Sequence, residues 1–246
     1  MNGLVELYAK QLKLPAFNEY REVIRQAKAN GLSYEDFLIE LMSREVARRK
    51  DNQLKRRIKK ARFPVIKTLD EFKFEHLPHI EEALIFELSR GEFIDKKENI
   101  VMIGPPGTGK SHLSIALGLK ACHQGYSVQF FTAARLVNEL TEAMDEKTLT
   151  KLETQLAKVK LLIVDELSYV SFPRHGAELL FHILSERTER SSVIINTNLD
   201  FSRWGDVFGD DMLAAALVDR LTYRSYVLNM NAESYRLKES KKAKKK

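Results

Sequence analysis

The sequence predicts a parallel α/β fold with a five-stranded sheet, preceded by a small helical module. Three observations predict it. From residue 99 onward, short apolar runs alternate with amphipathic stretches of helical length, and that alternation implies a parallel sheet with helices on both faces. A glycine-rich turn, GPPGTGKS (104–111), stands between the first of those strands and the first helix. Further on, the apolar run KLLIVDE (160–166) ends in two acids, at the strand end where open sheets of this kind bind ligands.

The elements follow in order. The first 64 residues read as helical: LVELYAKQLKL has apolar spacing of three and four, Pro15 interrupts, and FNEYREVIRQAKANG repeats the pattern until Gly31 ends it. SYED then offers Ser33 as an N-cap with Asp36 three residues on, the spacing of a capping box. Leu38, Leu41, Met42 and Val46 line one side of the helix it starts, and Pro64 closes the run. After a connector, TLDEFKFEHLPH, the strands are NIVMIG, YSVQFF, KLLIVDE, SVIINTN and SYVLNM. The helices between them are residues 110–123, RLVNELTEAM with EKTLTKLETQLAKV, HGAELLFHILSERTE and MLAAALVDRLT. The predicted domains are a helical module over 1–64, a nucleotide-binding domain over 65–235 and a basic tail over 236–246.

Composition bounds the function. With 246 residues, 44% hydrophobic and 30% charged, the chain is globular rather than disordered. No run approaches eighteen apolar residues, so no membrane partner is expected. Glu6 interrupts the apolar N-terminal stretch, Cys122 is the single cysteine, and the six histidines have no zinc spacing; together these predict a cytoplasmic protein without a structural metal. The net charge of +6 conceals a division. Residues 1–64 hold 15 basic and 8 acidic residues, residues 236–246 hold 7 and 1, and the middle holds 18 and 25. Positive ends around an acidic centre point to a polyanion, nucleic acid first. The richest stretch, Arg44 to Arg62, has 10 basic and 2 acidic residues, and its candidate DNA contacts are Arg48, Arg49, Lys55, Arg56, Arg57, Lys59 and Lys60.

The chemistry rests on two motifs. GPPGTGKS matches G-x-x-x-x-G-K-[ST] in the required strand–turn–helix context. Gly104, Pro105, Pro106, Gly107, Thr108 and Gly109 form a turn whose N–H groups can face phosphates, and the following helix N-terminus adds donors and a favourable dipole. Lys110 is expected at the β- and γ-phosphates of ATP, and Ser111 offers its hydroxyl to Mg2+. His112 follows in the first helical turn, a position that packs or caps; it is counted with the nucleotide-binding residues and has no catalytic role. Asp165, 55 residues after Lys110, can hold Mg2+ directly or through water. Glu166 is a candidate general base for the attacking water, which a simple nucleotide binder does not need.

SSVIINTNLDF (191–201) puts two asparagines in a buried strand, where an amide must find partners or cost free energy. Asn198, at the strand end, is expected to hold the lytic water or contact the γ-phosphate. Asn196 lies one β-period deeper and reads as a satisfied core amide. Arg220, near the end of DMLAAALVDRLTYRS, could reach a neighbour's nucleotide, and Arg236 in ESYRL could contact the γ-phosphate of its own subunit. Cys122 reads as a core thiol.

GPPGTGKSHL, LLIVDELSYV, NTNLDFSRWGDVFGDDMLAAALVDRL and ESYRL together resemble the IstB family, the ATP-binding helper proteins of IS21-type transposons, over nearly the whole chain. The resemblance implies an AAA+ P-loop NTPase, similar to bacterial replicative helicase loaders. It makes Lys110 and Ser111 Walker A residues, Asp165 and Glu166 Walker B residues, Asn198 sensor 1, Arg220 the trans-acting arginine finger and Arg236 sensor 2. It further implies a homo-oligomer that assembles on double-stranded DNA with ATP and presents that DNA to a cognate IS21-type transposase. A helicase loader is the alternative with the same core. The chain departs from the family pattern twice: Asn196 stands where Ser or Thr is frequent, and MNAES (230–234) stands where Arg-Gly often precedes Glu-Ser.

Overall fold

A computed structural model of the chain describes residues 3–167, 172–235, 237 and 240. The chain divides into two compact units, Met1–Arg56 and the remainder from Arg57.

The first unit contains α1 (Leu4–Gln11), a 3-10 turn over Pro15–Glu19, α2 (Tyr20–Ala29) and most of the 28-residue α3 (Tyr34–Ala61). Gly31, at φ 62°, ends α2 in the left-handed conformation that glycine adopts without penalty. The capping box forms as expected. Asp36 N–H donates to Ser33 Oγ at 3.1 Å, and Ser33 N–H returns a bond to Asp36 Oδ2 at 3.2 Å. The apolar side expected on α3 is mostly exposed, because Leu38, Met42 and Val46 face solvent and only Leu41 is buried. The side chain buried one turn after Leu41 is Glu45. Its Oε2 accepts the Ala16 N–H at 3.0 Å and its Oε1 accepts Arg49 Nε at 2.7 Å. Burial works to raise the Glu45 carboxyl; Arg49 and the Ala16 N–H outweigh it and hold the group below its ordinary range.

The boundary between the units falls inside α3, eight residues before the expected position at 64. The last turn of this helix belongs to the larger unit for a packing reason. Ala61 is fully buried, Arg57 Nε donates to the Cys122 carbonyl at 2.9 Å, and Phe63 meets Phe130 edge-on at 6.4 Å.

In the larger unit, α4 (Glu82–Ser89) and α5 (Glu92–Asp95) precede the first strand. Neither was expected from the sequence. The order then runs β1 (Asn99–Ile103), α6 (Lys110–Gln124), β2 (Val128–Thr132), α7 (Ala133–Asp145), α8 (Leu149–Ala157), β3 (Leu161–Asp165) and α9 (Arg174–Arg187). It ends with β4 (Ser192–Thr197), α10 (Gly205–Phe208), α11 (Asp211–Thr222) and β5 (Ser225–Asn229). The strands form one parallel sheet in the order β2-β3-β4-β1-β5. Every residue of β3 and β4 is buried, as strands covered on both faces require, and each buried Leu, Ile or Val side chain contributes about 1.5–3 kcal/mol. Side-chain caps start two of the helices. Thr132 Oγ1 accepts from Arg135 N–H for α7, and Asp210 Oδ1 accepts from Met212 and Leu213 N–H for α11.

Arg187, at the end of α9, is buried among backbone carbonyls. It donates to Leu156, Val159 and Ser192 at 2.8, 2.8 and 3.3 Å, tying the end of α8 to the starts of β3 and β4. Burial pushes its pKa down to about 10. Among the described residues no helix is long and apolar enough to cross a membrane.

Candidate functional site

The strand order decides where the site lies. β4 sits between β3 and β1, so its carboxyl end stands between the acidic pair that ends β3 and the glycine-rich turn that leaves β1. A cavity of about 320 Å3 opens there, lined by Pro106 to His112, Asp165, Glu166, Asn196 and Asn198. The sequence therefore named most of one wall.

The turn requires its glycines. Gly107 (φ 82°) and Gly109 (φ 101°) are left-handed, and a Cβ at Gly107 would meet Ser234 Oγ while one at Gly109 would lie 2.8 Å from the Phe72 ring. Thr108 Oγ1 braces the turn by donating to the Pro105 carbonyl at 3.0 Å. Lys110, largely buried, directs its ammonium to the carbonyls of Gly104 and Pro105 at 2.5 and 2.7 Å. Gly104 and Pro105 thus support the lysine and do not line the cavity. The segment after β5 closes on the turn: Met230 N–H donates to the Ile103 carbonyl at 2.6 Å, and Tyr235 N–H donates to the Gly107 carbonyl at 3.0 Å.

Asp165 is buried at the end of β3, and its Oδ1 accepts the Glu166 N–H at 3.0 Å. That bond accompanies a left-handed Glu166 (φ 60°) whose side chain is exposed. A non-glycine residue held in this conformation stores strain, a feature concentrated at functional sites. Asn198 lies just beyond β4, partly exposed, on the cavity wall. Asn196 departs from expectation. It is fully buried, its Nδ2 donates to Ser114 Oγ and Asp165 Oδ1, and among the described residues its Oδ1 has no donor. It is not a satisfied core amide.

Phe72, Lys73, His76 and Tyr235, which also line the cavity, were missed. His76 packs on Tyr235 at 4.8 Å, and the Lys73 ammonium lies 5.7 Å from the Tyr235 ring centre. The signal for Phe72, Lys73 and His76 was the density of aromatic and basic residues in the connector DEFKFEHLPH, whereas Tyr235 lies far along the chain in ESYRL. His112 also lines the cavity, its Nε2 within 2.8 Å of the Thr68 carbonyl and its ring edge-on to Phe72 at 5.3 Å.

Arg220 is not at the cavity. It is exposed on α11, donates to Ser185 Oγ at 3.0 Å and stacks over Phe181 at 5.3 Å. Arg236 and the lysine run 241–246 lie outside the described residues. Of the basic arm, Arg48, Arg49, Lys55, Arg56, Lys59 and Lys60 are exposed, with Lys55 paired to Asp51 at 2.7 Å. Arg49 is engaged by Glu45 and the Lys13 carbonyl, and Arg57 by the Cys122 carbonyl.

The donors fit a nucleotide with a divalent cation. A cradle that only glycines permit, a buried lysine, a serine hydroxyl at the start of α6, a buried carboxylate and flat aromatic groups line one cavity. Among the described residues no cluster of three or more His, Cys, Asp or Glu could hold a metal alone. Ser111 and Asp165 suit an ion whose remaining ligands come from phosphate and water.

The family description for IstB-like ATP binding proteins matches residues 7–243. The chain belongs to the IstB-like ATP-binding proteins. Its similarity to individual IstB-like relatives is equally extended. It is 39% identical over 240 residues to an ATP-binding protein of insertion sequence IS21 from Pseudomonas aeruginosa, covering 97% of this chain and 91% of the relative. It is 37% identical over 242 residues to an ATP-binding protein of insertion sequence IS5376 from Geobacillus stearothermophilus, covering 98% and 96%. Among solved structures, DnaI matches this IstB-like chain with a TM-score of 0.55 at 17% identity, over 66% of this chain and 90% of that one. AMPPCP-bound DnaA from Aquifex aeolicus matches at 0.54 and 22% identity, over 72% and 54%. At such identities the likeness speaks to fold alone, and the fold is that of an AAA+ P-loop NTPase.

Proposed function

We propose that this protein is an ATP-dependent, DNA-binding transposition helper, which assembles on duplex target DNA, hydrolyses ATP and recruits or stimulates a cognate IS21-type transposase. The observation that carries the reading is the convergence of both Walker motifs and the end of β4 on one cavity, in a chain similar over almost its full length to ATP-binding proteins of insertion sequences.

Each residue has a role in that reading. Lys110 exchanges the loop carbonyls for phosphate oxygens of ATP. Ser111 and Asp165 hold Mg2+, which when bound offsets charge on the phosphates. Glu166 takes a proton from the attacking water as the new oxygen–phosphorus bond forms and the bond between the γ-phosphorus and the β–γ bridging oxygen breaks. Asn198 orients that water or the γ-phosphate. Phe72, His76 and Tyr235 supply flat surface for the base. Arg220, held away from its own cavity by Phe181 and Ser185, completes the site of a neighbouring subunit, so hydrolysis depends on assembly.

Duplex contact falls to the exposed members of the arm. With about 100° between successive helical residues, Arg48, Lys55 and Lys59 lie on one line of α3, and Arg56 and Lys60 lie about 80–120° around it. Such a stripe suits sequence-independent phosphate contact. The test is capture on immobilised duplex DNA with ATP and Mg2+, offering an IS21-type transposase and a replicative helicase in parallel. Retention of the transposase is expected. Retention of the helicase alone would overturn the reading.

A further inference from the structure

Asn196 is a buried polar group at the cavity that the roles above do not use. Both of its amide hydrogens are committed: one goes to Ser114 Oγ at 2.8 Å and the other to Asp165 Oδ1 at 3.0 Å. Ser114 Oγ in turn donates to the Ser111 carbonyl at 3.1 Å. Asn196 and Ser114 are fully buried and Asp165 is 6% exposed. An unbroken chain of hydrogen bonds therefore runs from the carboxylate that ends β3, through β4, to the first turn of α6.

The arrangement is directional. Asp165 Oδ1 already accepts the Glu166 N–H at 3.0 Å, so with Asn196 it carries two donors, and Oδ2 is the oxygen left for the cavity. The charge on Asp165 also selects the amide orientation. Rotated by 180°, Asn196 would set its carbonyl oxygen against a carboxylate and leave the amide hydrogens without these acceptors. The oxygen that points the other way has no donor among the described residues, a cost the site bears in order to keep the amide turned toward Asp165.

We propose that Asn196 is a positioning residue for the divalent cation. Through Ser114 it ties the turn that carries Ser111 to the Asp165 carboxylate, and it reserves one carboxylate oxygen for the ion. The spacing of the two metal-holding groups is then set in the nucleotide-free protein. This rests on the assignment of Ser111 and Asp165 to Mg2+ above, and outer partners of metal-binding groups are commonly worth about 10–100-fold in metal affinity.

The test measures binding of a fluorescent ATP analogue in excess EDTA and across a Mg2+ titration, together with the thermal midpoint of the nucleotide-free protein. Wild-type protein is expected to bind more tightly with Mg2+. Asn196→Leu, which keeps the branched heavy-atom outline and removes both donors, should shift the Mg2+ midpoint upward by about tenfold, with affinity in EDTA unchanged. Ser114→Ala, which removes the hydroxyl between Asn196 and the Ser111 carbonyl and keeps the Asn196–Asp165 bond, should shift it in the same direction by less, and it stands as the test if the leucine variant does not fold. An equal loss of affinity with and without Mg2+ would assign Asn196 to packing and overturn the proposal, as would an unchanged midpoint in both variants. If wild-type protein itself shows no Mg2+ dependence, it is the underlying metal assignment that fails.

Discussion

The two units bury polar groups to different ends. In the larger unit, Asp165, Lys110, Asn196 and Ser114 are buried beside one cavity and hydrogen-bonded to one another or to the turn around it. In the smaller unit the buried charged residue is Glu45, which joins Ala16 to Arg49 and serves no cavity. Apolar surface differs as well. Leu7, Tyr8, Leu12, Tyr34, Ile39 and Met42 are all exposed in the smaller unit, whereas β3 and β4 have no exposed residue. One unit fixes polar groups around a cavity. The other leaves much apolar surface exposed, which suits the assembly and DNA contact proposed for it.

The largest effects expected are those of the buried site. Lys110→Ala should remove most ATP binding. Glu166→Gln should keep binding and lower turnover by at least about 10²-fold, the usual contribution of a general base. Equilibrium binding and steady-state hydrolysis on the same preparations check both. If Glu166→Gln hydrolyses ATP at the wild-type rate, the strained acid has no part in the chemistry and the contrast between the units loses its main support.

Next in size is a coupling between subunits. Arg220→Ala should bind ATP normally and lose hydrolysis by about 10³-fold in the presence of DNA, as arginine fingers do. Mixing Arg220→Ala with Glu166→Gln subunits should restore part of the activity, because opposite defects can leave one shared site intact. Normal hydrolysis by the arginine variant alone refutes the assignment.

The basic arm should give an effect confined to DNA. Replacing Lys55, Arg56, Lys59 and Lys60 by alanine, and sparing Arg57 for its bond to the Cys122 carbonyl, should make the slope of log affinity against log salt shallower by about 0.9 for each phosphate that is no longer neutralised. ATP affinity should not change. An unaltered slope in fluorescence anisotropy would move the DNA surface onto the larger unit.

The smallest effect concerns acid. The folded Glu45 carboxyl lies below its ordinary range, so the stability it lends is complete above that range and is lost as pH falls through the folded pKa. Glu45→Gln should be less stable near neutral pH, and the two proteins should converge once the carboxyl is protonated. Cys122 reports on the other unit, since burial pushes its thiol up to about 11 despite the nearby Arg57. Labelling with dithiodipyridine, which reads accessibility even in acid, should stay negligible while helix signal from the smaller unit declines. Simultaneous exposure of Cys122 would mean the two units unfold as one.

Residues 99–229 were legible because local patterns and global packing agree there. Apolar runs bounded by turn residues became strands within one or two residues of expectation, and in the helical module the capping residue Ser33 marked its helix directly. The glycine turn was legible too, since its chemistry is carried by consecutive residues. α4 and α5 were not, because they follow a connector whose aromatics conceal its periodicity. The exposure of Leu38, Met42 and Val46 was illegible for another reason: helical spacing says which residues share a face, and only tertiary packing says whether that face is covered.

By itself the sequence determined the parallel α/β class, the nucleotide turn, the acidic pair and the separation of basic from acidic regions, all properties of neighbouring residues. The tertiary structure alone decided the strand order, which inserts β4 between β3 and β1 and thereby sets Asn196 against Asp165. It also brought Phe72 and Tyr235, 163 positions apart, onto the same cavity, and turned Arg220 toward Phe181 instead of that cavity. The physical reason is that parallel strands pair by register and twist across long connections. Which strand lies beside which is therefore settled by packing over the whole sheet, and no local stretch of sequence carries it.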